Sequence, residues 1–216
     1  MSNSSMSPVN HTSILQASDL HFSYPDQTLF TRFSANIPPG ISLIRGGDGR
    51  GKSTLLRLLA GGLPAQSGQL QINGVGLKAH PANYKAQVFW AEPCSTAFDQ
   101  LTVPNYFDLQ RRSYDDFDDG VLTAVTDGLG LKVHLHKQLF MLSTGSKRKV
   151  FLAAAFASGA VLTLIDEPFA ALDAASIRFI LSWLNGTAID NKRAWVLADY
   201  IALDELLFAQ IIDLGD

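Results

Sequence analysis

The sequence predicts an α/β fold, and three parts of the chain indicate it. Residues 41–44 are a short apolar run that ends in a glycine-rich turn, and residues 52–60 then carry leucines on a recurring helical face. Residues 161–165 are a second apolar run, which ends in two acids. Apolar runs of this length are typical of strands buried in a parallel sheet. In residues 14–24 and 33–37 the apolar side chains roughly alternate, which predicts half-buried antiparallel strands.

The other elements are predicted from local signals. Asn73-Gly74 is typical of the turn of a tight hairpin. Residues 1–12 are polar and without periodicity, which predicts a flexible tail ahead of a single domain over residues 13–216. The later part of the chain predicts a helical region over about 103–159, a helix over 174–184, a strand over 194–198, a short helix and a final strand near Ile211.

Composition and charge exclude several classes of protein. The 216 residues are 47% hydrophobic and 17% charged, which is enough apolar material for one sizeable core. The net charge is -3, so no overall positive field attracts nucleic acid, and we expect no nucleic-acid partner. The apolar run over 150–165 is shorter than the about 20 residues of a membrane helix, and Ser158-Gly159 interrupts it. It predicts a buried helix followed by a buried strand.

The location of the chain is predicted from its early residues and its cysteine content. No lysine or arginine precedes Arg32, whereas cleaved leader sequences need early positive charge. The only cysteine, Cys94, cannot form an internal disulfide, which fits a reducing compartment. We therefore expect a cytoplasmic protein.

The glycine-rich turn has the pattern of a phosphate-binding loop. G-x-x-x-x-G-K-[ST] is satisfied by Gly46-Gly47-Asp48-Gly49-Arg50-Gly51-Lys52-Ser53, with Thr54 next. Glycines let backbone N–H groups surround an anion, and the start of the following helix attracts the same charge. Lys52 is expected to reach the β and γ phosphates, and Ser53 to ligate Mg²⁺. The alternative is a glycine-rich turn before an ordinary helix.

The two acids after the second apolar run extend this prediction. Asp166 and Glu167 stand at the carboxyl end of a strand, where α/β sheets bind their ligands. We expect Asp166 to hold Mg²⁺ and Glu167 to polarise the water that attacks the γ phosphate. A solvated acidic strand end is the alternative for this pair alone.

Residues 142–146 contain a motif that indicates a protein family. The run Leu142-Ser143-Thr144-Gly145-Ser146 resembles the L-S-G-G-Q signature of ABC transporter ATP-binding subunits. Ser143 can cap the helix that follows, and Gly145 lets backbone N–H groups approach an anion. A simple helix cap is the alternative for this motif in isolation. Four motifs nevertheless follow one another in the order that this family has: the phosphate loop, the signature, residues 165–168 and residues 171–173. The resemblance covers residues 13–216.

This resemblance implies a fold and a set of partners. The fold is an α/β P-loop NTPase (RecA-like) core with an antiparallel β-subdomain and a helical subdomain inserted at about residues 92–159. The implied cofactors are ATP and Mg²⁺, with two cassettes of the same or different sequence holding two nucleotides head to tail. The transport path belongs to separate integral membrane subunits, with this chain on the cytoplasmic face of the membrane. The length of the chain and residues 166–173 also resemble the haem-exporter ATPases of cytochrome c maturation.

The resemblance further implies roles for single residues. Tyr24 matches the aromatic that stacks on adenine, although a core or surface tyrosine is the alternative. Asp173 lies in the family's D-loop, and the signature residues Ser143 and Gly145 meet the nucleotide of the opposite subunit. Glu92 falls near the position of the Q-loop glutamine, where it would take part in catalysis and help to hold the metal. Asp199 takes the place of the switch histidine.

Three positions depart from the family pattern towards negative charge. Asp48 stands where Asn or Ser is usual, Glu92 near the glutamine and Asp199 at the histidine, while Arg50 can offset part of the charge. An aspartate accepts hydrogen bonds and repels phosphate, whereas a neutral histidine can donate. We therefore expect slow hydrolysis by the isolated chain. A regulatory subunit with weakened catalysis and a non-transport ABC ATPase of translation or DNA repair are the alternative functions.

Two further patterns in the sequence are weaker. His134-x-His136 with Cys94 could suggest a metal site, but no ligand spacing completes it. The acids at 115, 116, 118 and 119 are most simply a solvated helix start, where negative charge suits the helix dipole.

Overall fold

The computed structural model describes residues 13–92, 95–187 and 192–215, and these form two sheets with helices around them. The tail predicted over 1–12, and Cys94, lie outside the described residues. The strands are β1 (Leu15–Tyr24), β2 (Gln27–Ile37), β3 (Gly40–Arg45), β4 (Ser67–Ile72), β5 (Val75–Gly76), β6 (Val88–Ala91), β7 (Leu162–Asp166), β8 (Ala194–Asp199) and β9 (Phe208–Asp213). The α-helices are α1 (Lys52–Leu59), α2 (Pro81–Lys85), α3 (Val103–Ser113), α4 (Asp119–Gly128), α5 (Thr144–Ala157) and α6 (Ala174–Thr187).

A five-stranded parallel sheet has the order β6-β7-β8-β3-β9. Its register sets Arg45 of β3 opposite Asp199 of β8, and Ala198 opposite Asp166 of β7. Because parallel strands share one carboxyl edge, the loop after β3 and the acids at the ends of β7 and β8 meet there. The second sheet is antiparallel in the order β2-β1-β4-β5, as the alternating segments predict.

The core lies on both faces of the parallel sheet. Alternate residues of β3 and β8 point to opposite sides, so Leu43 belongs to one apolar cluster and Ile44 to the other. Helix α1 and the antiparallel sheet pack on one side, and α3 to α6 supply the other. The Phe156 ring of α5 lies 5.2 Å from the Trp195 ring of β8, measured between centroids. Burial on both faces explains why these strands read as continuous apolar runs.

Helices α3, α4 and α5 lie within the range predicted for the helical subdomain, and the exact limits of that subdomain remain a prediction. The predicted buried helix and strand over 150–165 are present as the end of α5 and β7. In the described ranges, no helix is both long enough and apolar enough to cross a membrane.

Several local predictions were wrong. The short helix expected after residue 198 is absent, because residues 200–207 form bends and turns. Asp199 is the last residue of β8 and does not follow the strand. β2 starts at Gln27, six residues earlier than the alternating segment, and β6 and α2 were not predicted. β6 has only four residues, which is too short for periodicity to show.

Candidate functional site

The loop between β3 and α1 lies at the carboxyl edge of the parallel sheet. Gly49 and Gly51 have φ of 73° and 91°, in the left-handed region that glycine tolerates best. A Cβ on Gly51 would also lie 3.0 Å from the Phe30 ring. No side chain caps the start of α1, so its first N–H groups face the loop without a side-chain partner. This geometry suits an anion.

Lys52 is buried in this loop, with 8% of its surface exposed. Its Nζ donates to the carbonyl oxygens of Gly46 (2.6 Å) and Gly47 (2.9 Å). The same nitrogen lies 4.0 Å from the centre of the Tyr200 ring, which covers it from the solvent side. The one ammonium group of the loop is therefore bonded within the protein.

Tyr200 is a site residue that the sequence analysis missed. Its hydroxyl donates to Oδ1 of Asp48 at 2.5 Å, and this bond raises the pKa of Tyr200 to about 12. The phenol therefore stays protonated at neutral pH. Tyr200 directly follows Asp199 at the end of β8, so its place beside an acid at the carboxyl edge was a signal that could have identified it.

A cleft of about 340 Å³ is bounded by the loop, the start of α1, Glu167, Tyr200 and part of β1–β2. The predicted site residues that line it are Tyr24, Asp48, Gly49, Arg50, Gly51, Lys52, Ser53, Thr54 and Glu167. The Tyr24 ring is 41% exposed, and its hydroxyl lies 3.3 Å from Oγ1 of Thr54. The structure thus brings together the predicted phosphate loop, the predicted adenine-stacking tyrosine and the predicted base.

The two acids of β7 differ in environment. Burial raises the pKa of Asp166, and a hydrogen bond from the Ser53 hydroxyl partly offsets this effect. Glu167 has φ of 47°, which is uncommon for a residue with a Cβ. Its backbone N–H donates to the Ala198 carbonyl at 2.8 Å, and its own carbonyl accepts from Nη1 of Arg148 at 2.5 Å. Sequence reasoning gave Arg148 no role.

Glu92 and Asp199 lie outside the lining of the cleft. Oε1 of Glu92 accepts from Nη2 of Arg57 at 2.6 Å, and Arg57 is four residues after Ser53 on the same face of α1. Glu92 is therefore held against α1 by an ion pair, at a residue four positions after Ser53. The Asp199 carboxylate accepts from the Tyr200 backbone N–H at 2.7 Å. Burial raises the pKa of Asp199, and the charge of Glu167 raises it further.

The signature residues form a second group, away from the cleft of the same chain. Ser143 caps α5, since its Oγ accepts from the Ser146 N–H at 3.2 Å while the Ser143 hydroxyl donates to the Ser146 hydroxyl oxygen at 3.0 Å. Gly145 lies against the backbone of Ala171, which has φ of 60°. The signature and residues 171–173 are thus neighbours within one chain.

Asp173 joins the signature helix to α6. Its Oδ2 accepts from Nζ of Lys149 at 2.6 Å, and its Oδ1 accepts from the Ser176 N–H at 2.9 Å. These bonds, the one from Lys149 first, hold the pKa of Asp173 well below its usual range.

The two weaker patterns were also located. Asp118 caps α4 by accepting from the Val121 N–H at 2.9 Å, as an acidic helix start predicts. Nε2 of His134 lies 3.3 Å from the Ser146 hydroxyl. In the part of the chain that the structure describes, no group of three His, Cys, Asp or Glu side chains is placed to hold a metal.

Comparisons with known proteins agree with this geometry. The family described as "ABC transporter" matches residues 30–170. The cytochrome c biogenesis ATP-binding export protein CcmA of Legionella pneumophila (strain Lens) is 31% identical over 185 residues, which cover 84% of this chain and 88% of that protein. CcmA of Aromatoleum aromaticum is 31% identical over 180 residues, with 82% and 84% covered.

Solved structures show the same fold. The ATP-binding subunit of an ABC transporter superposes with a TM-score of 0.78 at 24% identity, covering 88% of this chain and 80% of that one. A putative ABC transporter ATP-binding protein from Pyrococcus furiosus gives a TM-score of 0.73 at 22% identity, with 93% and 96% covered. The mixed α/β core with its antiparallel sheet is therefore the P-loop NTPase fold that the sequence predicts.

Proposed function

This chain belongs to the ABC transporter family of ATP-binding subunits, and from that premise we propose that it hydrolyses ATP as one half of a nucleotide-sandwiching dimer. The observation that carries the proposal is the meeting of Lys52, Ser53 and Asp166 at one sheet edge, with Glu167 in the same cleft. A family that hydrolyses ATP needs a phosphate cradle, a magnesium site and a base in contact range of each other. These residues supply one group for each of those needs.

The residues around Ser53 fit Mg²⁺ by the chemistry of their donors. A hydroxyl oxygen and a carboxylate oxygen are hard ligands of the kind that Mg²⁺ prefers. Asp166 is also buried at 8% exposure, and a nearby cation would offset the cost of ionising it there. We assign Ser53 and Asp166 to the metal, which would neutralise charge on the phosphates. Glu92 is the further candidate, through its position on the flank of α1.

The chain's own groups would then divide the remaining work. The loop N–H groups and the start of α1 bind the phosphates. Lys52 adds a positive charge, and its ammonium group has to leave the carbonyl oxygens of Gly46 and Gly47 in order to reach the phosphates. Glu167 orients a water molecule and accepts its proton, since Asp166 is assigned to the metal. Tyr24 presents a partly exposed ring in the same cleft for the adenine base.

The dimer is supported by the position of the signature. Ser143, Gly145 and Asp173 do not line the cleft that contains Lys52 of the same chain. In a head-to-tail pair they can meet the nucleotide of a second cassette, identical or not. The Ser143 hydroxyl donates to Ser146 in this single chain, so it would have to rotate to donate to a γ phosphate.

Transport is the activity that the relatives favour. The two CcmA relatives are named as export proteins, and the Treponema pallidum protein TroB, 31% identical over 178 residues that cover 79% of this chain and 66% of that protein, is named as part of a zinc transport system. We propose that this chain likewise drives separate membrane subunits from the cytoplasmic face. The export and transport names do not favour the alternative of a non-transport ATPase.

The central test uses two substitutions on the purified chain. Lys52→Ala should greatly weaken ATP binding or turnover, because it removes the charge aimed at the β and γ phosphates. Glu167→Gln should preserve ATP binding and suppress turnover. Binding is measured with a fluorescent ATP analogue and turnover by phosphate release, with thermal unfolding as the control for folding. Unchanged ATP affinity and turnover in Lys52→Ala would refute the assignment of the phosphate site. A fully active Glu167→Gln would show that Glu167 is not the base.

A further inference from the structure

Arg148 is a buried cation on the helix that the signature begins. Only 7% of its surface is exposed, and within the described parts of the chain no carboxylate lies at ion-pair distance from it. Its Nη1 instead donates to two backbone carbonyls, those of Glu167 at 2.5 Å and Ala170 at 2.9 Å. A buried charge is costly unless specific partners compensate it. The partners here all belong to the segment that follows β7.

That segment has an unusual backbone. Glu167 and Ala171 both have positive φ, of 47° and 60°, and each such residue with a Cβ is held there by its surroundings. The Glu167 N–H is bonded to Ala198 of β8 on one side. The Glu167 carbonyl is bonded to Arg148 of α5 on the other. The same carbonyl also accepts from the Ala170 N–H at 3.2 Å, so three hydrogen bonds hold the Glu167 backbone, and the one from Arg148 comes from the signature helix.

The electrostatic setting agrees with this arrangement. Arg148 is a positive charge close enough to Asp166 and Asp199 to interact with both carboxylates. Asp199 adds a negative charge at a position where the family has a histidine. A buried cation next to these acids reduces their mutual repulsion.

We propose that Arg148 is the positioning residue of Glu167, and that it ties the signature helix to the general base. The proposal rests on the proposed role of Glu167. Ser143 and Arg148 are on one rigid helix, so a shift of that helix on meeting a second cassette is transmitted to the Glu167 carbonyl. Arg148 does not itself line the cleft and reaches it only through the backbone of Glu167, so its effect on turnover is indirect.

The test compares Arg148→Met and Arg148→Lys with the matched control Lys147→Met. Lys147 is a mostly buried cation of the same helix, but it bonds to Ser95 and Asp99 and has no contact with Glu167. Single-turnover ATP hydrolysis, ATP affinity and thermal unfolding are measured for each variant. Displacing a catalytic group by about 1 Å can cost on the order of 100-fold in rate, so Arg148→Met should lose roughly tenfold to 100-fold in turnover.

The affinity of Arg148→Met for ATP should stay within about twofold of the wild type, because the phosphate loop is untouched. Arg148→Lys should recover part of the rate, because an ammonium can donate to the Glu167 carbonyl without the fixed geometry of a guanidinium. In a Glu167→Gln background, Arg148→Met should cause no further loss, since both changes act through one group. Lys147→Met should keep turnover within about twofold of the wild type.

The outcomes separate this proposal from the proposed function. Wild-type turnover in Arg148→Met, with Glu167→Gln suppressed, would overturn the role of Arg148 and leave the site intact. An active Glu167→Gln variant would instead overturn the role of the base. If Arg148→Met does not fold, the test rests on Arg148→Lys. Reduced turnover of Arg148→Lys with unchanged ATP affinity supports the proposal, and wild-type turnover of this variant refutes it.

Discussion

Replacing Gly145 by alanine tests how closely the signature and the segment after β7 pack within one chain. A Cβ on Gly145 would lie closer than 3.0 Å to the carbonyl oxygen of Ala171, a separation that real Cβ atoms do not show. The obstacle is backbone, which cannot rotate aside as a side chain would. Either α5 or the segment at Ala171 has to move.

The cost follows from two opposing effects. Forcing an extra methyl group into packed structure costs about 3 kcal/mol at the upper end of the usual range. Alanine is favoured over glycine in a helix by about 1 kcal/mol, which offsets part of this. The free energy of unfolding should therefore fall by about 2 kcal/mol. For a chain of this size, about 2–4 °C is lost per kcal/mol, so the midpoint of thermal unfolding should fall by about 4–8 °C.

The assay is thermal unfolding followed by circular dichroism without nucleotide. Gly186→Ala is the matched control, because Gly186 is also helical and a Cβ there meets nothing within 4 Å. Its midpoint should stay equal or rise slightly through the gain in helix propensity. A Gly145→Ala midpoint equal to that of Gly186→Ala would show that Gly145 and Ala171 do not pack as described.

Three further predictions concern the nucleotide. We expect the wild-type chain to hydrolyse ATP slowly and Asp199→His to hydrolyse it faster, because two unit charges about 4 Å apart at a dielectric constant near 20 repel by about 4 kcal/mol before solvent screening. Brisk wild-type hydrolysis with no gain in the variant would contradict this. Tyr200→Ala should bind ATP and ADP severalfold more tightly, with a smaller gain in Tyr200→Phe, because the ring covers Lys52 and its hydroxyl bonds Asp48. AMP, which has no β phosphate, is the control ligand. Equal or weaker ATP affinity in Tyr200→Ala would show that the ring does not block Lys52. Glu167→Gln with saturating ATP should dimerise in the analytical ultracentrifuge, because the signature can bind a phosphate only when a second cassette carries nucleotide. If only monomers are seen, either the partner is a different cassette or the two cassettes do not enclose the nucleotide.

Much of the site could be predicted because its parts are local in the chain. The loop from Gly46 to Ser53 needs glycines, a lysine and a hydroxyl in one short run between a strand and a helix. The acids 166 and 167 follow a buried strand whose apolar run marks its end. The hairpin at Asn73-Gly74 is confirmed, since these residues have φ of 48° and 80° and β4 pairs with β5 across them.

The sequence alone determined the fold class, the family and the position of the glycine-rich loop between a strand and a helix, because the motifs that indicate them are formed by residues that are neighbours along the chain. The tertiary structure alone decided that Tyr200 covers Lys52, that Arg148 holds the Glu167 carbonyl and that Glu92 pairs with Arg57. These contacts join residues on different elements, and they depend on strand order and helix packing. Periodicity describes which face of an element is buried, but it does not say which distant side chain lies against that face.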